Sequence, residues 1–244
     1  MRQLLPVPIA AVDLIDAYRH EPAPDGQLFV RLNMIASVDG AVTVDGTSGS
    51  LGGPGDHAVF QALRSIADVV LVAAGTARAE GYGPAVLPEP IRESRVAQGR
   101  SPVPAIAVVS RSCALEFDSP FFTTASVRPI VVTVATAPAD RRARAAEVAD
   151  VIVAGETDVD LSRALSSLYE RGARSVLAEG GPSFNGQLAG GGHLDELCLT
   201  LAPKLVGGDA RRILTGEVLE ITSELHIVTV CEEDDYLFLR FSVS

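Results

Sequence analysis

The chain has 244 residues, 47% of them apolar, which is length and hydrophobicity enough for a real core and argues against disorder. Its 20 basic and 31 acidic side chains give a net charge of −11, against a nucleic-acid-binding face, and no window of about 18 uncharged apolar residues exists to span a bilayer. Residues 1–26 read as an irregular lead-in ending in the Pro-rich His20–Gly26, and 27–244 as one domain. The apolar start carries Pro6, Pro8, Asp13 and Asp16 and lacks the basic flank and unbroken core of a secretory signal, so a cytoplasmic protein is expected.

From Leu28 onward strands and helices alternate. Leu28–Ile35 reads as a strand, and Asp56–Ala67 as a helix with Val59, Phe60, Leu63, Ile66 and Ala67 at helical spacing. Val69–Ala73, Val103–Val109 and Pro129–Val134 are short apolar runs suited to buried strands, and residues 81–102, rich in Pro and Arg, read as a long loop. Ala139–Val148 reads as a charged surface helix and Val151–Ala154 as a strand. Asp160–Gly172 is a helix that Asp160 can cap and Gly172 can end, with Leu161, Ala164, Leu165 and Leu168 on one face. A short helix follows Pro182, and then three strands, Glu196–Leu201, Leu225–Val230 and Tyr236–Val243. This order predicts an α/β fold, a largely parallel sheet with helices on both faces and antiparallel C-terminal strands at one edge.

Chemistry concentrates at strand ends. The run Val176-Leu177-Ala178 leads into Glu179, Gly180, Gly181 and Pro182, and then a helix start. Glycines allow close backbone approach, and a helix start bares unpaired amides at its positive end. The pattern is either a phosphate or pyrophosphate site or a tight turn that binds nothing. Asn33–Gly40 runs from a strand into an Asp-Gly turn, in which Asp39 is expected to brace the turn. The glycine-rich segment after it could close over a flat ligand; the G-x-G-x-x-A at Gly53–Ala58 follows no apolar strand and is not a dinucleotide fingerprint. After Val69–Ala73, Thr76 and Glu80 either touch a cofactor or, for Thr76, cap a helix. Ser110 and Arg111 end another strand and suit a phosphate monoester such as the 2′-phosphate of NADPH, or Arg111 is simply a surface arginine. The three cysteines and four histidines have no metal-ligand spacing, so no metal site is expected.

Six short motifs in order carry a resemblance. They are Ser37–Gly40 (S-V-D-G), Ser48-Gly49, Ala62–Arg64 (A-L-R), Ala74–Thr76 (A-G-T), Glu179–Pro182 (E-G-G-P), and Leu194–Pro203 with Val206–Gly208. From Leu28 to the C-terminus the chain resembles the riboflavin-biosynthesis pyrimidine reductases, the reductase half of the bifunctional deaminase/reductase, in stand-alone form. The resemblance implies a dihydrofolate-reductase-like fold, NADPH as cofactor, and reduction of the ribosylamino group of a pyrimidine phosphate to a ribityl chain. It assigns Thr76 and Glu80 to cofactor contacts, Ser110 and Arg111 to the adenosine phosphate end, and Gly180, Gly181, Pro182, Ser183, Phe184 and Asn185 to the pyrophosphate turn. Arg64 and Ser48 fall to the substrate. Glu179 falls beside the nicotinamide, either as proton donor or relay, with water as the rival donor, or as a group that orients a substrate hydroxyl.

Two departures stand out. Asn33, the other catalytic candidate, occupies a position where bifunctional members often carry Lys, whose chemistry an amide lacks. Those members also hold substrate phosphate with an Arg near the position of Leu87; Arg92, Arg95 and Arg100 are the available substitutes. The rival readings are a pterin reductase, favoured by a buried carboxylate in the first helix region, where Asp56 reads as a cap, and a non-catalytic NADP(H)-binding module. Exposed C-terminal strand edges together with the resemblance predict a homodimer.

Overall fold

A computed structural model describes residues 1–21, 23–217 and 222–244, so that Pro22 of the His20–Gly26 stretch lies outside the described residues. In chain order the elements are β1 (Arg2–Leu5), α1 (Leu14–Tyr18), β2 (Phe29–Ser37), α2 (Pro54–Ile66), β3 (Val69–Ala73), α3 (Ala74–Ala79), α4 (Glu89–Ala97), β4 (Ala105–Val109) and α5 (Pro120–Thr123). There follow β5 (Ile130–Thr133), α6 (Ala139–Val148), β6 (Asp150–Val153), α7 (Leu161–Glu170), β7 (Ser175–Ala178), α8 (Pro182–Gly190), β8 (Glu196–Ala202), β9 (Leu225–Glu233) and β10 (Tyr236–Val243). The described residues fall into two compact units where one domain over 27–244 was expected: residues 1–21, 30–66, 178–217 and 222–244, and residues 23–29 and 67–177.

In the first unit the strand order is β1-β9-β10-β8-β2. β2 runs parallel to β8, with Arg31 beside Glu196 and Ser37 beside Ala202. β8, β10, β9 and β1 then pair antiparallel in turn, so the C-terminal strands form the antiparallel part of a mixed sheet, although β8 itself is parallel to β2. The N-terminal lead-in is not irregular. β1 pairs with β9, and α1 is capped by the Asp13 carboxylate, which accepts from the Asp16 amide at 3.0 Å. β1 has four residues and no apolar alternation, so only its long-range pairing makes it a strand. It also covers the β9 edge that the sequence left open.

This unit buries a charged cluster. Glu196 accepts from Arg31 Nε and, at 2.7 Å, from Arg240 Nε, and all three side chains are at most 10% exposed. The remaining guanidinium donors reach the end of α1: Arg31 to the Tyr18 carbonyl at 2.7 Å, and Arg240 to those of Ala17 and Arg19 at 2.8 and 3.1 Å. The cluster satisfies its own charges and closes off helix carbonyls that have no intrahelical partner.

In the second unit the order is β7-β3-β4-β5-β6, with β3 to β6 parallel neighbours. Their short apolar runs are buried on both faces: Val70, Leu71, Ala107, Val131 and Val132 have no exposed surface. α7 forms as its pattern requires, with Asp160 accepting from the Arg163 amide at 3.0 Å and Leu161, Ala164, Leu165 and Leu168 buried. The 81–102 segment is not a loop throughout, because α4 lies inside it. Its buried anchor is Arg95, 1% exposed, which donates to the Ser101 and Ala67 carbonyls at 2.9 and 2.8 Å. Burial pushes that guanidinium down to about 10. A helix hung on an arginine shows no apolar stripe to read.

Candidate active site

The Gly-Gly-helix part of the predicted pattern lies in the first unit, directly after β7. Glu179 follows β7 directly, Gly180 takes φ +98°, and Gly181 caps α8, with Pro182 in its first turn. The positive φ is open to glycine and costly for other residues. Gly180 and Gly181 are buried and Ser183 is exposed. The first-turn amides of Ser183 and Phe184 lie beyond the reach of intrahelical acceptors, so this helix start fits an anionic group. The side chains of two of the predicted pyrophosphate residues are turned into the fold. Phe184 is buried, and Asn185, fully buried, donates to the Ile213 carbonyl at 2.8 Å. The first turn of α8 therefore offers backbone, not the Asn185 amide.

Glu179 and Arg64 are brought together. Arg64, near the end of α2, donates from Nε and Nη2 to the two carboxylate oxygens of Glu179 at 2.8 and 2.7 Å. The side chains are 11% and 2% exposed. Phe60, one turn earlier, lies under the guanidinium, 4.1 Å from its ring centroid. The expectation of Glu179 as proton donor does not fit this geometry. A guanidinium has only donors, so both oxygens of its bidentate partner act as acceptors. Phe60 was legible only as an apolar position of a helix.

The turn after β2 is braced by Asp39, which accepts from the Ser37 hydroxyl at 2.5 Å, from the Gly207 amide at 2.6 Å and from the Val206 amide at 3.1 Å. These bonds, the Ser37 hydroxyl first, hold its carboxyl at about 2, below the ordinary 3.8. A depressed carboxyl contributes stability above its ordinary value and loses it as pH falls through the folded one. The protection factors of the Val206 and Gly207 amides, taken against the intrinsic exchange rate at each pH, are thus expected to hold down to about pH 4 and to fall as pH drops toward 2. Exchange already fast at neutral pH would contradict the brace.

Ser48 is half-buried in the segment that leads to α2. That segment is pinned: Lys204 donates to the Ser50 carbonyl at 2.5 Å, the Tyr236 hydroxyl donates to the Leu51 carbonyl at 3.0 Å, and Leu51 has no exposed surface. Asn33, half-buried on β2, stands beside Cys198 in register and shares a strand face with Arg31 and Ile35.

In the second unit Thr76 lies inside α3, whose cap position is Ala73, so it is not a helix cap. Thr76 and Glu80 are half-buried, and Ser110 is buried at the end of β4. Arg111 is exposed and pairs with Asp158 at 2.9 Å. Of the loop arginines, Arg95 is buried as described, Arg92 pairs with Glu89, and Arg100 stands 3.9 Å from Asp68. Each is engaged within the fold of this unit. Among the described residues no cluster of His, Cys, Asp or Glu could hold a metal ion, and no helix is long and apolar enough to cross a membrane.

A mixed sheet with parallel strands, an antiparallel C-terminal end and flanking helices, carrying a strand-Gly-Gly-helix turn, defines the dihydrofolate-reductase-like class. The structure of Enterococcus faecalis dihydrofolate reductase matches with a TM-score of 0.50 over 88% of this chain and 96% of that one, at 10% identity, a likeness of fold alone. A pyrimidine reductase-like protein from Corynebacterium diphtheriae matches more closely, with a TM-score of 0.81 and 30% identity over 89% of this chain and 92% of that one. The RibD C-terminal domain family matches residues 28–235, and the chain belongs to that family. A relative from Methanothermobacter thermautotrophicus, a 2,5-diamino-6-ribosylamino-4(3H)-pyrimidinone 5′-phosphate reductase, is 31% identical over 79% of this chain and 86% of its own length.

Proposed function

We propose that this protein is the NADPH-dependent pyrimidine reductase of riboflavin biosynthesis, converting the ribosylamino group of a pyrimidine phosphate to ribitylamino. The bidentate Arg64–Glu179 pair directly before the Gly180–Gly181 turn, inside a family match of 208 residues, carries the reading. NADPH, when bound, supplies the hydride. The chain's own residues position and neutralise. The α8 start holds the pyrophosphate through backbone amides. Arg64, held flat by Phe60 and Glu179, contacts the substrate. Glu179 fixes the Arg64 guanidinium and orients a substrate hydroxyl, while water delivers the proton. Thr76 and Glu80 contact the cofactor, and Asn33 and Ser48 the substrate.

The test is loss of NADPH absorbance with the ribosylaminopyrimidine phosphate, with dihydrofolate in parallel. Turnover on the pyrimidine supports the proposal. Turnover mainly on dihydrofolate reassigns the substrate, and NADPH binding without turnover on either leaves a cofactor-binding module.

Ser110 and Arg111 take the 2′-phosphate of NADPH in this reading. An exposed pair such as Arg111–Asp158 is worth little, so Arg111 can leave Asp158 for a phosphate. Arg111→Ala is expected to raise the KM for NADPH about tenfold and leave that for NADH nearly unchanged. Equal effects on both cofactors would remove Arg111 from phosphate recognition.

The protein is also proposed to be a cytoplasmic homodimer. The β9 edge is covered by β1, so the dimer contact is assigned to a sheet face instead. Leu199, Leu201, Leu237, Leu239, Phe241 and Val230 share one face and are all only partly buried. A sedimentation mass near the 25.5 kDa of one chain at micromolar concentration would refute this.

A further inference from the structure

Apart from Arg211 and Arg212, every arginine of the first unit pairs with a carboxylate, and Lys204 is held by the Ser50 and Leu51 carbonyls. Arg211 and Arg212 are exposed, and among the described residues their side chains have no partner. The segment that carries them is nevertheless fixed. Upstream, the Val206 and Gly207 amides donate to Asp39. The Arg211 carbonyl then accepts from the Val42 amide at 3.1 Å, the Ile213 carbonyl accepts from Asn185, and the Thr215 amide donates to the Pro182 carbonyl at 3.0 Å. Pro182, Asn185 and Gly186 all lie at the start of α8. A Cβ on Gly186 would stand 2.3 Å from the Thr215 carbonyl oxygen, so the segment lies on this helix at a distance open only to glycine. Two unpaired arginines thus stand on pinned backbone between the turn after β2 and the start of α8.

The start of a helix supplies roughly half a positive charge. A dinucleotide pyrophosphate carries more negative charge than that, and the net charge of −11 on the chain opposes its approach. Phe184 and Asn185 turn into the fold, so the missing counter-charge has to come from outside α8. We propose that Arg211 and Arg212 supply it, taking the pyrophosphate of the cofactor from the segment tied to the first turns of α8. A guanidinium presents a fork of N–H donors to phosphate oxygens, and these two give up no carboxylate to do so. The assignment rests on the reading of the α8 start as the pyrophosphate site and goes further by naming the side chains that complete it. Arg111 addresses the 2′-phosphate alone, so the two assignments separate by cofactor.

The test is equilibrium binding of NADPH and of NADH, read from nicotinamide fluorescence, to the wild type and to Arg211→Ala with Arg212→Ala. Both Kd values are expected to rise about 10- to 100-fold and in equal proportion, because both cofactors carry the pyrophosphate. Arg211→Lys with Arg212→Lys keeps the charge and is expected to recover most of that loss. Both side chains are exposed, so the melting temperature of each variant should match that of the wild type. In turnover, the KM for the ribosylaminopyrimidine phosphate should hold within about twofold. Unchanged Kd values overturn the assignment. So does a loss confined to NADPH, which places the arginines at the 2′-phosphate, and so does a rise confined to the KM of the pyrimidine, which gives them to the substrate phosphate. A loss that the lysine pair shares in full also overturns it, since packing of the segment and not charge is then at work. A wild type that binds both cofactors but turns over neither substrate refutes the reductase reading alone, and the Kd values still decide on the arginines. A wild type that binds neither cofactor refutes both.

Discussion

Arg64→Ala is expected to lower melting stability by about 3–5 kcal/mol and to abolish most reductase activity, because it strands the Glu179 carboxylate, 2% exposed, without its counter-charge. The stability loss exceeds the worth of a surface ion pair because a buried, unpaired carboxylate keeps its full desolvation cost. The double substitution Arg64→Met with Glu179→Leu removes both charges and fills similar volume. It should recover much of the stability and none of the activity, which separates the folding role of the pair from its place in the site. Glu179→Gln turns one accepting oxygen into a donor facing Arg64. We expect kcat/KM to fall about tenfold or more with no displacement of the pH profile, since the carboxylate orients and does not donate. A pH profile that loses one limb in Glu179→Gln would restore the proton-donor role.

Glu196→Ala is expected to cost about 3–5 kcal/mol in urea denaturation, since it leaves Arg31 and Arg240 side by side and buried without their shared anion. The damage should begin at the N-terminus. The same two guanidiniums hold the carbonyls of Ala17, Tyr18 and Arg19, so limited proteolysis should cut near α1 first. Replacing Arg31, Glu196 and Arg240 together by Met, Leu and Met should recover only part of the loss. Apolar side chains of similar size can stand in for a buried ion cluster, but not for the donors that reach three helix carbonyls. An unchanged denaturation midpoint in Glu196→Ala would show the cluster to be energetically idle.

The two clusters also mark where reading the sequence runs out. Arg64 and Glu179 are each visible in short motifs, but their bidentate contact joins residues 115 positions apart. The resemblance placed both at the substrate without indicating that they face each other. Arg31, Glu196 and Arg240 lie in strands where charge ordinarily marks a solvent face, and a contact across 165 positions reverses that meaning. Asp56 was read as a cap and lies inside the helix, because Gly53-Pro54-Gly55 starts α2 two residues sooner than its apolar stripe does.

What the sequence by itself determined are the features that a few neighbouring residues decide. These are the buried parallel strands β3, β4 and β5, the Asp160-capped helix α7, the Gly180–Gly181 entrance to α8 and the order of elements that makes the mixed sheet. Backbone propensity, apolar period and capping act over one or two turns of chain, so they can be read locally. The tertiary structure alone decided that β1 covers β9, that α4 hangs on Arg95, that Glu179 accepts from Arg64, and that Asp56 meets Thr200 of β8. Each of these depends on what distant chain brings alongside, and in a buried setting the partner decides whether a charge costs or stabilises.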